Sequence, residues 1–126
     1  FPNEADQLTQ KILDYTDCHP YYSQQLAAYV WQVGMLQPEK QDMMRAAIEH
    51  IVTTHGLDYE RIWNTFNRTS KWILMRLAKS EAFQTGEYRT STIYSALKRL
   101  QQLGYVIYSN QYEIEDPFFK EWLMQI

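Results

Sequence analysis

The stretch Ser91-Thr92-Ile93-Tyr94-Ser95-Ala96-Leu97-Lys98-Arg99-Leu100-Gln101-Gln102-Leu103-Gly104-Tyr105-Val106-Ile107-Tyr108-Ser109-Asn110-Gln111-Tyr112-Glu113-Ile114 changes period once, at its glycine. Before Gly104, residues Ile93, Ala96, Leu97, Leu100 and Leu103 recur at i, i+3, i+4 and i+7, the stripe of an amphipathic helix. Thr90 or Ser91 is the expected cap, and Gly104 the expected residue just past the end. After it come two short β-prone runs, 105–108 and 111–114, separated by Ser109-Asn110, which predicts a hairpin.

Upstream of this stretch, Trp72, Ile73, Leu74, Leu77 and Ala78 predict a helix from about Thr69. A polar connector follows, Lys79 to Thr90, with Gly86 inside it and no apolar helical pattern of its own. Downstream, Asp116-Pro117 combines an N-cap with a first-position proline and opens a helix carrying Phe118, Phe119, Trp122 and Leu123. Helix, connector, capped helix, glycine and hairpin is the order of a winged helix-turn-helix.

The first half predicts four helices. Asn3 is a cap for the first, with Leu8, Ile12 and Leu13 on its stripe. Pro20 starts a second, with Leu26, Ala27, Val30 and Trp31 inward and Gly34 as its stop. Gln37-Pro38-Glu39 opens a third, which Gly56 closes, and Asp58 caps a short fourth reaching Phe66. The expected fold class is therefore mainly α: a helical lid-like bundle over residues 1–67, followed by a winged helix-turn-helix with a small β-hairpin wing over 68–126.

The 126 residues carry 45% hydrophobic and 15% aromatic side chains, too many for a disordered chain. A chain of this length buries roughly two thirds of its unfolded surface, enough for a core without disulfides. No run of about 18 apolar residues exists, so no membrane contact is expected, and the chain reads as soluble and cytoplasmic. The one cysteine, Cys18, excludes an internal disulfide and a thiolate zinc site. Residues 1–64 hold four Lys or Arg against nine acids, and residues 65–126 hold eight against six. The second half is only faintly basic, which is thin for a dedicated DNA reader.

Two segments resemble a known family. Thr16-Asp17-Cys18-His19-Pro20-Tyr21-Tyr22-Ser23-Gln24-Gln25-Leu26 is similar to the start of the lid subdomain in P-loop ATPases of the STAND and AAA type, the archaeal-type ATPase family included. There a Gly-His-Pro-Tyr-Tyr-like segment opens a lid helix; here Cys18 stands where glycine is common. Leu97 to Val106 and Tyr112 to Leu123 resemble the winged helix that follows that lid, whose wing leads into an Asp-Pro-Phe segment and a short helix with Trp. The two segments come in the family's order, and the resemblance covers nearly the whole chain.

The resemblance implies that His19 and Pro20 lie near nucleotide held by the ATPase core, and that the lid moves with nucleotide state. No Gly-x-x-x-x-Gly-Lys-[Ser/Thr] loop occurs, and none of Gly34, Gly56, Gly86 and Gly104 precedes a lysine. Without that loop nothing cradles the β- and γ-phosphates. The chain, which begins at Phe1, is thus expected to be a fragment that is not an enzyme by itself. It would hold no cofactor, with ATP and Mg belonging to a parent whose P-loop core lies upstream. That core is the first expected partner.

Other chemistry is poorly marked. His50 and His55 are five apart, whereas ligands on one helix face need three or four. The serines lack nucleophile-elbow glycines, and Cys18 beside His19 has no orienting third group. The binding candidates sit on the Ser91–Leu103 helix and its flanks: Thr92, Tyr94, Ser95, Lys98 and Arg99 on the outer face, Arg89 before it, and Asn110 at the wing tip. Such groups suit phosphates and base edges, yet the few cations put a protein partner ahead of DNA. The alternative is a free-standing transcription regulator, because Thr92 to Leu100 with Leu103 to Val106 also resembles the recognition helix and wing of PadR-type repressors.

Overall fold

The computed structural model describes residues 2–36, 42–83 and 86–126, with side chains from Ala5 onward. They form seven helices and one two-stranded antiparallel sheet: α1 (Pro2–Thr16), α2 (Pro20–Leu36), α3 (Met43–Thr54), α4 (Gly56–Thr65), α5 (Arg68–Ala78), α6 (Thr90–Gln102), β1 (Val106–Ser109), β2 (Gln111–Ile114) and α7 (Pro117–Gln125). The chain is mainly α with a small hairpin, as its periodicity predicts. It divides into two compact units, residues 1–55 and 56–126.

In the first unit, α2 packs on α3 and α1 on α2. Leu26 and Val30 of α2 meet an inward face of α3 made by Ala47, Ile48, Ile51 and Val52, all buried. Each large aliphatic side chain removed from water contributes about 1.5–3 kcal/mol, and this stripe is what holds the pair together. The α1–α2 corner is polar at its centre: the buried Thr16 hydroxyl donates to the Ile12 carbonyl at 2.9 Å and shares a 2.6 Å hydrogen bond with the Ser23 hydroxyl.

Several expected boundaries move. Pro2 already lies in α1, so Asn3 is inside the helix rather than its cap. α2 runs through Gly34 to Leu36 because that glycine serves close approach: a Cβ there would lie 3.2 Å from Met43 Sδ. Trp31, expected inward, is 71% exposed, since the register set by Leu26 and Val30 turns it away. Gln37-Pro38-Glu39, read as the start of the third helix, falls outside the described residues. Asp42 caps α3 instead, accepting from the Arg45 N–H at 2.9 Å. Gly56 does not close α3, which ends at Thr54 with His55 as its cap, but begins α4; Asp58 lies in the first turn of α4.

The second unit begins twelve residues earlier than the sequence suggests, at α4, for a packing reason. Tyr59 of α4 is buried with its ring 5.5 Å from Phe119 and 6.2 Å from Trp122, and Trp63 meets Trp122 edge-on at 6.3 Å, so α4 packs on α7. Asn67, expected at the end of the first bundle, is the N-cap of α5: its side chain accepts from the Ser70 N–H at 2.9 Å. Ile73, Leu74 and Ala78 of α5 are buried, as are Ile93, Leu97 and Leu100 of α6.

The connector carries no helix in its described residues, 79–83 and 86–89, and is held to α5 by aromatic and ionic contacts. Trp72 lies 5.9 Å from the Phe83 ring and 5.1 Å from Tyr88, with the Arg76 guanidinium 5.2 Å over its face. Arg76 also pairs with Glu81 at 3.0 Å. Asp116 caps α7 as expected, accepting from the N–H groups of Phe118 and Phe119 at 2.9 and 3.4 Å, and Phe118 and Leu123 are fully buried.

Candidate functional site

α6 and the hairpin are joined by a turn that its sequence dictates. Gly104, at φ +88°, reverses the chain: its N–H donates to the Gln101 carbonyl at 3.1 Å, and that of Tyr105 to the Leu100 carbonyl at 3.0 Å. These are the two bonds of a Schellman motif. Leu103, expected in the core, caps the helix just before this reversal and is 56% exposed. The strands pair Val106 with Ile114 and Tyr108 with Tyr112. Val106 and Ile114 are buried, and Ile107 and Tyr108 face outward.

With Ile93, Leu97 and Leu100 fixed inward, 100° per residue turns the other positions out. Thr92, Tyr94, Ser95, Lys98 and Arg99 are all exposed, as is Arg89. The expected cap, Thr90 or Ser91, is replaced by Arg89, whose backbone is extended and whose side chain makes no capping bond. Thr92, Ser95 and Arg99, at i, i+3 and i+7, form one line. They border an open groove of about 380 Å³ together with Asn67, Thr69 and Ser70 from the start of α5 and with Ser91. Tyr94 and Lys98 lie on the other flank of the outer face. Asn110 sits at the hairpin turn with φ +73° and does not line the groove.

Sequence reasoning therefore found the α6 side of this groove and missed the α5 side. The signal was present in Asn67 three residues before Ser70, a cap-and-first-turn spacing. It was hidden because the apolar stripe of α5 becomes visible only from Trp72.

His19 and Pro20 lie in the other unit. Pro20 is the first residue of α2, and His19 precedes it: Nδ1 of His19 accepts from the Tyr22 N–H at 3.5 Å, and the two rings lie 4.4 Å apart, tilted by 41°. Both are helix-start features here. Asp17 and Cys18, with φ of +52° and +58°, make the α1–α2 turn with left-handed backbone, and Cys18 is exposed.

The histidines of α3 diverge. His50 lies against Tyr29 at 5.1 Å, and His55 Nε2 is 3.4 Å from the Gln25 side-chain amide. Among the described residues no group of three His, Cys, Asp or Glu is placed to hold a metal ion, and no helix is long and apolar enough to cross a membrane. Set against known protein families, curated proteins and solved structures, the chain matches none of them.

Proposed function

We propose that the chain is the regulatory, non-catalytic part of a P-loop ATPase of the type it resembles, and that the outer face of α6 with the hairpin is its output surface toward a protein partner. One observation carries this reading. α6 and the hairpin expose Tyr94 (57%), Leu103, Ile107 and Tyr108 (58%) beside Arg89, Lys98 and Arg99. Aromatic side chains and arginine set among apolar ones make the composition enriched in protein interfaces, whereas a groove-reading helix carries a basic stripe. In this reading α1 and α2, opened by His19 and Pro20, form the lid, and nucleotide bound by a core outside this chain moves it in a hinge-type switch. The site of action is the cytoplasm.

Calorimetric titration with ATP and Mg²⁺ tests the non-catalytic part. The isolated chain should give a flat trace, because the phosphate cradle is absent from its sequence. Micromolar affinity, about 8 kcal/mol of binding free energy, would contradict the reading.

A second reading has an observation of its own. α6 contains no Asp or Glu, and Lys98 and Arg99 make no ion pair among the described residues. That favours a DNA-binding regulator in which the same face meets phosphates.

A further inference from the structure

Among the described helices α2 is the longest and the only one without a charged residue. A helix at a protein surface ordinarily turns a charged side to water. With Leu26 and Val30 buried, about 100° per residue puts Ala28 at the middle of the opposite side, and Tyr21, Gln24, Trp31, Gln32 and Met35 within about 60° of it. All six are exposed, Tyr21 by 65%, Trp31 by 71% and Met35 by 67%. This side also repeats about its centre: four residues either way from Ala28 stand Gln24 and Gln32, and seven either way stand Tyr21 and Met35.

We propose that this face of α2 docks on the same face of a second copy of the chain, antiparallel and crossing at Ala28. A two-fold contact needs one face that suits itself. This one carries no charge to repel its own copy, and its long side chains stand at matched distances on either side of a small one. In such a pair Tyr21 of each copy meets Met35 of the other, Trp31 falls beside the other's Gln24, and Ala28 at the axis lets the backbones approach to about 8 Å. A lipid surface is the poorer fit, because an interfacial helix flanks its apolar side with Lys and Arg, and α2 has neither. An aromatic side chain covers about 150–250 Å², so at these exposures Tyr21 and Trp31, with Met35, Ala28 and the glutamine stems, offer about 500 Å² per copy. The pair would bury about 1,000 Å² in all, the lower bound for a specific interface and the range of reversible ones. The contact lies wholly within α2 and does not rest on the ATPase reading.

Sedimentation velocity of the full chain across a concentration series tests this. The sedimentation coefficient should rise from that of one chain to that of two, with a dissociation constant of about 100 µM. Trp31→Ala should weaken association about tenfold, and Ala28→Glu, which sets two carboxylates at the axis, should abolish it. Both positions are exposed, so the melting temperature of dilute variants should stay at the wild-type value and separate lost association from lost folding. Leu57→Glu, at an exposed leucine of α4, should leave association unchanged. In a Cys18→Ser background under oxidised glutathione, Ala28→Cys should cross-link two chains and Tyr21→Cys should not, because only position 28 meets itself in an antiparallel pair. A chain that stays single at about ten times that dissociation constant, or association that survives Ala28→Glu, would overturn the proposal. Loss of association in Leu57→Glu would overturn it by moving the contact to another face, and cross-linking through Tyr21→Cys would overturn the antiparallel arrangement. Binding of single chains to phosphatidylcholine vesicles, lost in Ala28→Glu, would overturn it too and assign the face to a lipid surface.

Discussion

Cys18 and Ser80 each hold a backbone conformation that a side chain disfavours, with φ of +58° and +55°. Ser80 ends α5 through the same pair of bonds that Gly104 makes after α6: its N–H donates to the Leu77 carbonyl, and that of Glu81 to the Arg76 carbonyl at 2.8 Å. Gly104 does this without a Cβ clash, while Ser80 is strained by it. Both Cys18 and Ser80 are exposed, so replacing them removes no packing. Ser80→Gly and Cys18→Gly should each raise stability by about 0.5–1 kcal/mol in urea unfolding, the strain relief exceeding the added entropy of the unfolded chain. Destabilisation by either would mean that the turn is built differently.

At the scale of elements, α6 tests the register on which the site depends. Leu100 is buried and Gln101 exposed. Leu100→Ala should cost about 2–5 kcal/mol, against near zero for Gln101→Ala, and Leu103→Ala should resemble the latter. Asp116→Ala, which removes the α7 cap, should cost about 1 kcal/mol by thermal or urea unfolding. Small equal effects at Leu100 and Gln101 would displace every outward residue named on α6.

The apolar period made α5, α6, the hairpin and α7 legible, because each has a stripe or alternation that only one face can bury. It failed where a residue has two uses. Gly34 looks like a stop and is a close-approach glycine; Asn67 falls at the end of the bundle expected over 1–67 and is the cap of α5; Leu103 continues the α6 stripe in sequence and is turned out by Gly104. The α6 half of the groove could be read from Thr92, Ser95 and Arg99. Ser70 could not, since a buried serine bordering α6 exists only once α5 and α6 are packed together.

On the scale of the whole molecule, each compact unit has its own core. Residues 56–126 include the α4–α7 aromatic contacts, so that segment expressed alone should keep the amide spectrum it has in the full chain, whereas 68–126, which loses Tyr59 and Trp63, should be less stable. Nine Lys or Arg against eight acids leave 56–126 nearly neutral. Weak duplex binding is expected from a face with Arg89, Lys98 and Arg99 as its cations: three phosphate contacts at roughly 0.9 each give a slope of about −3 in log affinity against log salt. The central claim, that this face is turned to a protein, is tested most directly by fluorescence anisotropy of the full chain with labelled duplex DNA across salt concentrations. Binding that is weak, insensitive to sequence and lost near physiological salt is the result predicted; nanomolar, sequence-selective binding at physiological salt would contradict it and establish the DNA-binding reading.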